Sequence, residues 1–130
     1  FFTLAPAVLY ATQPFRGNLH LLFATHTTGV LIASLKWAIH SPRPMWITRE
    51  LPAVWGVAEW TFATPSGHSG ILTTLYILAL ATQPLWIAIL GSFLLWAITG
   101  LSRMYFGVHW NQEVLLGGLV GAVVGIVFAI

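Results

Sequence analysis

The sequence predicts an all-α protein, a polytopic bundle of transmembrane helices, from its composition and from the length and spacing of its apolar stretches. The 130 residues are 58% hydrophobic and only 6% charged, whereas soluble domains carry about 25% charged residues. Several apolar stretches approach the roughly 17 to 25 residues that a helix needs to cross a bilayer. Prolines and polar residues separate these stretches. We therefore expect a single transmembrane domain over residues 1–130.

Five helical segments are expected in chain order. The first is too short to span a membrane and is interpreted as the end of a helix that begins upstream, followed by a loop over residues 12–18. The second ends ahead of Pro42, because the residue before a proline disfavours helical geometry. The third begins at Pro65 or Ser66, since proline is favoured at the first helical position. The predicted helices cover residues 1–11, about 19–40, 65–81, 85–105 and 112–130.

The charged residues concentrate in the connections at one end of this bundle. Of eight charged residues in the chain, four fall within one three-part pattern: Lys36, Arg43, Arg103 and Glu113. A charge inside a membrane segment costs roughly 2.5 to 3.5 kcal/mol on insertion scales, so such charges are candidates for function. Because successive helices alternate in direction, the three parts of the pattern are expected on the same face of the membrane.

Two histidines and a helix start accompany these charges and favour phosphate-ester chemistry. An imidazole can act as nucleophile or acid near neutral pH, which makes His68 and His109 candidates for catalysis. The segment Pro65-Ser66-Gly67-His68 begins a helix, whose first N–H groups and positive dipole end favour an anion. Lys36, Arg43 and Arg103 supply positive charge and forked hydrogen bonds.

Glu113 follows His109 by four residues and shares its face if the segment is helical. A carboxylate on the second ring nitrogen of a catalytic histidine fixes its tautomer and stabilises the cation that forms. The three glutamates of the chain show no pairing at metal-ligand spacing, so neither a metal nor another cofactor is expected. The net charge of +2 is too small to indicate nucleic acid as a partner.

The pattern resembles the signature of the type-2 phosphatidic acid phosphatase superfamily, which reads K-x6-R-P, P-S-G-H and S-R-x5-H-x3-D. Order and spacing agree throughout, and the single departure is a glutamate in place of the last aspartate. The matching segments are Lys36-x6-Arg43-Pro44, Pro65-Ser66-Gly67-His68 and Ser102-Arg103-x5-His109-x3-Glu113.

The resemblance implies a role for each of these positions. His109 would be the nucleophile that forms a phosphohistidine, His68 the acid that protonates the leaving group, and Glu113 the carboxylate that orients His109. A glutamate is one methylene longer than the family's aspartate, so His109 must sit differently or the backbone must compensate. The implied phosphate-binding residues are Lys36, Arg43, Ser66, Gly67 and Arg103.

The same resemblance implies an integral-membrane, metal-independent phosphatase that acts on a lipid phosphate or diphosphate. Its expected partners are the lipid bilayer and a phosphorylated lipid, and its site, in loops over about 41–68 and 105–113, would face the extracytoplasmic or lumenal side. About five helices of a six-helix fold would be present in these 130 residues. The oligomeric state does not follow from the sequence.

Three other functions are to be compared with this one. One is a glucose-6-phosphatase-like hydrolysis of a soluble phosphate ester, and another is a catalytically degenerate scaffold of the same fold, which the change to Glu113 raises. The third, a b-type cytochrome, requires histidine pairs that face each other inside the bundle, whereas His68 and His109 lie at helix ends.

On the last helix, Gly117, Gly121 and Gly125 recur every fourth residue, which predicts close packing against another helix of the same chain.

Overall fold

The computed structural model describes residues 15–48 and 60–130, which form helices joined by short connections. Within these two ranges there is no β-strand, and the prediction of an all-helical bundle is confirmed. The predicted helical segment at residues 1–11 lies outside the described residues. The helices are α1 (Phe15–Ile39), α2 (Pro44–Ile47), α3 (Gly67–Leu80), α4 (Leu85–Tyr105) and α5 (Asn111–Ala129).

The helix boundaries correct the prediction in three places. Helix α1 begins at Phe15, so the expected loop over residues 12–18 is wrong for residues 15–18. Helix α3 begins at Gly67 with Ser66 as its N-cap, so neither Pro65 nor Ser66 is its first helical residue. The single turn α2 was not predicted.

Serine is among the preferred N-cap residues because its side chain accepts a hydrogen bond from the first turn. The Oγ of Ser66 lies 3.5 Å from the backbone nitrogen of Ser69 in this arrangement. The N-cap conformation is extended, with φ −69° and ψ 118°. The cap therefore sets the direction in which the chain enters α3 at the end of the bundle where the charged residues lie.

Helix α3 lies at the centre of the bundle and packs against α1, α4 and α5. Its contact with α5 depends on three glycines, as the sequence predicted. A Cβ atom added at Gly117 would overlap the main-chain oxygen of Ser66, and one at Gly121 would overlap that of Gly70. A Cβ at Gly125 would lie 3.1 Å from the Cβ of Ile77. The two helix backbones are therefore in near contact along the length of α3.

Hydroxyl groups join the helices inside this tightly packed region. The Oγ1 of Thr74 on α3 donates to the carbonyl oxygen of Gly121 on α5, 2.9 Å away. The same hydroxyl lies 2.7 Å from that of Thr28 on α1, and the Oγ of Ser69 donates to the carbonyl oxygen of Val114 at 2.7 Å. Such bonds between membrane helices contribute on average about 0.6 kcal/mol each, so they fix the helix register more than they stabilise the bundle.

Two of the described helices, α4 and α5, are long and apolar enough to cross a membrane, judged by length and composition. Helix α4 also exposes large apolar side chains along most of its length, among them Leu90, Phe93, Ile98 and Leu101. An apolar surface of this extent is unusual for a soluble monomer.

The close approach of α3 and α5 predicts that Gly121→Ala destabilises the bundle. The added methyl group meets the main-chain oxygen of Gly70, which cannot rotate away as a side chain can. Overpacking of this kind costs about 1–3 kcal/mol, and thermal unfolding in detergent should show a lower Tm. The matched control is Gly29→Ala on α1, where the new methyl would make an ordinary contact at 3.8 Å and helix propensity favours alanine. Equal Tm values for the two variants would contradict the packing described here.

Candidate active site

The connection between α4 and α5 places His109 by means of a Schellman motif. Gly107 has φ 64°, a left-handed conformation that glycine adopts without steric cost. Its N–H donates to the carbonyl of Met104 at 2.9 Å, and the N–H of Val108 donates to that of Arg103 at 3.3 Å. These two bonds are the pair that defines the motif. The chain leaves α4 in this turn and reaches His109 two residues after the glycine.

The first turn of α5 holds Glu113 directly behind His109. Trp110 is the N-cap residue, and its backbone N–H donates to Oε2 of Glu113 at 2.9 Å. A glutamate that reaches back from the third helical position to the N-cap N–H satisfies one of the donors that a helix start leaves open. Its negative charge also lies at the positive end of the helix dipole.

His109 is held between a carboxylate and a guanidinium. Its Nδ1 lies 3.0 Å from Oε2 of Glu113, and its Nε2 lies 3.3 Å from Nη1 of Arg43. The arginine can only donate and an ionised carboxylate can only accept. The arrangement therefore assigns the proton to Nδ1 and leaves the lone pair on Nε2, on the side where Arg43 lies.

Burial favours the neutral form of this imidazole. Desolvation lowers the pKa of His109 below its ordinary value of 6.5, and the charge of Arg43 acts in the same direction, while the hydrogen bond to Glu113 opposes both. At neutral pH the ring is consequently uncharged, so the lone pair on Nε2 is available for attack on an electrophile.

The carboxylate of Glu113 receives four hydrogen bonds. Besides His109 and Trp110 on Oε2, the hydroxyl of Thr64 donates to Oε1 at 3.1 Å and that of Ser41 at 3.4 Å. A carboxylate offers about four lone-pair sites, so these donors use its full capacity. The side chain is 1% exposed, and a buried charge of this kind is stable only when it is hydrogen-bonded on all sides.

Arg43 and Lys36 are positioned by main-chain carbonyls of residues 61–63 and 108. Arg43 donates from Nε to the carbonyl oxygen of Thr61 at 2.7 Å and from Nη1 to that of Val108 at 3.1 Å. The Nζ of Lys36 donates to the carbonyl oxygens of Phe62 and, at 3.3 Å, Ala63. Both cations are buried, and these oxygens replace part of the water that they lose.

A tight turn after α1 brings the two cations to this segment. His40 follows the last helical residue with φ 53°, and its N–H donates to the carbonyl oxygen of Lys36 at 3.1 Å. The chain then pairs with residues 60–64 through the N–H of Ala63, which donates to the carbonyl oxygen of Ser41 at 2.9 Å. The first part of the sequence pattern thus meets the residues that directly precede the second part.

The start of α3 is joined to the start of α5 by one backbone bond. The N–H of Ser66 donates to the carbonyl oxygen of Glu113 at 2.9 Å. Gly67 and His68 occupy the first two helical positions after this N-cap, where a helix provides no acceptor for the backbone N–H groups. Arg103 lies in the last turn of α4. Contacts of the His68 and Arg103 side chains with a phosphate stay predictions.

The structure thus brings all three parts of the pattern to one end of the bundle, as expected. The side chains of Glu113 and Arg43 both contact the ring of His109. Ser66 contacts this group through its backbone N–H, which donates to the main-chain oxygen of Glu113. Sequence reasoning missed three hydroxyl residues that complete the site: Ser41 and Thr64 on Glu113, and Thr61, whose Oγ1 accepts from Nη2 of Arg43 at 3.2 Å. Thr61 and Thr64 lie just ahead of the Pro65-Ser66-Gly67-His68 segment, and this closeness in sequence is the feature from which their role could have been predicted.

Comparison with known proteins identifies the class to which this fold and site belong. A family model described as the PAP2 superfamily matches residues 17–130, so the protein belongs to the PAP2 superfamily. A segment of 61 residues is 39% identical to an undecaprenyl-diphosphatase of Sulfolobus acidocaldarius, and it covers 47% of this chain and 29% of that protein. The chain therefore matches less than a third of the length of this relative. No solved structure matches the chain.

The four bonds to Glu113 predict the effect of changing it. In Glu113→Gln the side chain loses its negative charge and one of its two oxygens becomes an N–H donor, so it no longer accepts from all four donors and no longer stabilises a cation on His109. We expect kcat for phosphate release to fall by about a hundredfold or more, with KM nearly unchanged. Glu113→Asp should also lower kcat, because the shorter side chain cannot reach all four donors.

These two variants are compared with wild type by steady-state kinetics on one phosphate ester. Gln112→Ala, at an exposed position beside Glu113, serves as the control and should behave like wild type. Wild-type kcat in Glu113→Gln would mean that another group orients His109.

Proposed function

We propose that the protein is an integral-membrane phosphatase that hydrolyses a lipid phosphate or diphosphate through a phosphohistidine on His109. The observation that carries this proposal is the placement of the His109 ring. Its Nδ1 is held by Glu113, and its Nε2 lone pair is directed at the guanidinium of Arg43. A nucleophile beside a fixed cation suits attack on the electrophilic phosphorus of a phosphate group, because the cation can bind the negatively charged phosphate oxygens.

In the proposed reaction a phosphate occupies the space beside Nε2, where Arg43 donates to its oxygens. Nε2 attacks phosphorus, the bond from phosphorus to the leaving-group oxygen breaks, and His68 donates a proton to that oxygen. Water then attacks the phosphohistidine with His68 as base, the P–N bond breaks, and inorganic phosphate leaves. Throughout, Glu113 stabilises the positive charge that develops on His109.

The remaining residues bind the phosphate oxygens in this proposal. Lys36 and Arg103 contribute charge, and the backbone N–H groups of Gly67 and His68 contribute the helix start. The N–H of Ser66 is already bonded to Glu113, so Ser66 would contribute the hydrogen of its hydroxyl. Charge on the equatorial oxygens is then met by preorganised donors, which is the largest contribution in this type of catalysis.

Three observations support a lipid substrate and a membrane location. Helices α4 and α5 are apolar and of spanning length, and α4 exposes large apolar side chains. The relative in Sulfolobus acidocaldarius is named for a diphosphatase activity on an undecaprenyl lipid. By the family resemblance, the site would face the extracytoplasmic or lumenal side, with the substrate phosphate at the bilayer surface.

The proposal predicts phosphate release that does not depend on a metal. Within the described residues Glu113 carries the one side-chain carboxylate, and its lone pairs are taken by four donors, which leaves none for a cation. Purified protein should release phosphate from a lipid monophosphate or diphosphate in excess EDTA, and vanadate should inhibit by occupying the phosphate site. A water-soluble sugar phosphate belongs in the same panel to test the alternative substrate class.

His109→Ala is the inactive control for this panel. His26→Ala is its matched control, because His26 is exposed and, among the described residues, its side chain bonds the carbonyl oxygen of Leu22 in its own helix. Loss of turnover on chelation with recovery in magnesium would contradict the metal-independent mechanism. Turnover of the soluble ester alone would contradict the lipid assignment.

A further inference from the structure

The two donors to Oε1 of Glu113 lie outside the sequence pattern that identified the site. Oε2 binds His109 and the N-cap N–H of Trp110, both within the same loop and helix start. Oε1 binds the hydroxyls of Thr64 and Ser41, which come from two other connections. The carboxylate therefore joins the third part of the pattern to two other places in the chain. Ser41 lies between Lys36 and Arg43 of the first part, and Thr64 directly precedes the second part.

The length of the glutamate side chain explains why Oε1 reaches these hydroxyls. An aspartate at position 113 would withdraw the carboxylate by about 1.5 Å, one C–C bond. A hydrogen bond of 3.1 Å does not survive a displacement of that size, because such bonds weaken steeply beyond their usual range. The contact with Thr64 is thus one that a glutamate makes and an aspartate at the same backbone position does not.

We propose that Thr64 is a positioning residue that adapts this site to a glutamate by holding Oε1, so that Oε2 stays on Nδ1 of His109. This role rests on the proposed function, since it matters only if His109 is the nucleophile. Without a donor on Oε1, the longer side chain has an additional rotatable bond and can turn its carboxylate away from the imidazole. The threonine removes that freedom.

Thr64 is better suited to this role than Ser41. Its bond is shorter, 3.1 Å against 3.4 Å. It also lies two residues before Ser66, whose N–H donates to the main-chain oxygen of Glu113. One short segment therefore holds both the backbone and the side chain of Glu113, and its geometry relative to His109 is fixed at two points.

The kinetic test compares Thr64→Val, which keeps the shape and removes the hydroxyl, with Thr64→Ser, which restores a hydroxyl. Thr64→Val should lower kcat about tenfold with KM within about twofold of wild type, as expected for the loss of a hydrogen bond to a charged group. Thr64→Ser should recover most of kcat. The matched control is Thr25→Val, since the buried Thr25 hydroxyl bonds carbonyl oxygens of its own helix in the part of the chain that the structure describes.

A double-mutant cycle with Glu113→Asp separates positioning from general damage. Because the aspartate does not reach Thr64, adding Thr64→Val to Glu113→Asp should change kcat by less than about twofold. The same cycle in thermal unfolding should show that the two Tm losses are not additive. If the losses of kcat and of Tm in the double variant are both the sums of those in the single variants, Thr64 does not bind Glu113. If the Tm losses are non-additive but Thr64→Val has wild-type kcat, the contact exists and the positioning role is wrong.

Failure of the proposed function is distinguishable from failure of this inference. A wild-type protein that releases no phosphate from any member of the panel contradicts the function, and the positioning role falls with it. The thermal cycle requires no turnover and still decides whether Thr64 binds Glu113.

Discussion

The buried carboxylate of Glu113 is the interaction on which the rest of the site depends. A charge that is 1% exposed is tolerated only with a full set of donors, and a hydrogen bond to a charged group contributes about 1.5–3 kcal/mol. The donors come from the α1–α2 connection, the segment before α3 and the loop before α5. These segments must converge for the charge to be stable. Folding of the bundle end and orientation of His109 are consequently the same event.

Helix packing determines whether that convergence is possible. The N–H of Ser66 reaches the carbonyl oxygen of Glu113 because Gly117, one turn further along α5, has no side chain to hold the two helices apart. A larger residue there would separate the start of α3 from the start of α5. The segment at the start of α3, which is proposed to bind phosphate, would then move away from His109. In the proposed mechanism the glycine repeat thus affects catalysis through this distance, although no glycine of α5 is proposed to touch the substrate.

Much of this site follows from local sequence, and the rest depends on contacts between distant residues. The contact of His109 with Glu113 was predicted from their i,i+4 spacing on one helical face. In the structure His109 lies just before the N-cap residue Trp110, and the contact arises because Glu113 reaches back over the helix start. Gly107 fixes the Schellman turn ahead of His109, although it occupies one of the unspecified positions between Arg103 and His109 in the sequence pattern. The bonds from Thr64 and Ser41 span 49 and 72 positions, and a hydroxyl residue in a loop gives no indication of its partner. Helix boundaries near proline were similarly ambiguous, because proline can precede a helix as well as begin it.

The central claim is that His109 presents the lone pair of Nε2 to phosphorus while Nδ1 stays bonded to Glu113. The most direct measurement is to trap the enzyme after mixing it with a phosphorus-labelled lipid phosphate and to locate the phosphate by mass spectrometry and phosphorus NMR. The account predicts a phosphoenzyme modified on Nε2 of His109 and absent from His109→Ala. Phosphate on Nδ1, on another residue, or equally present in His109→Ala would contradict it.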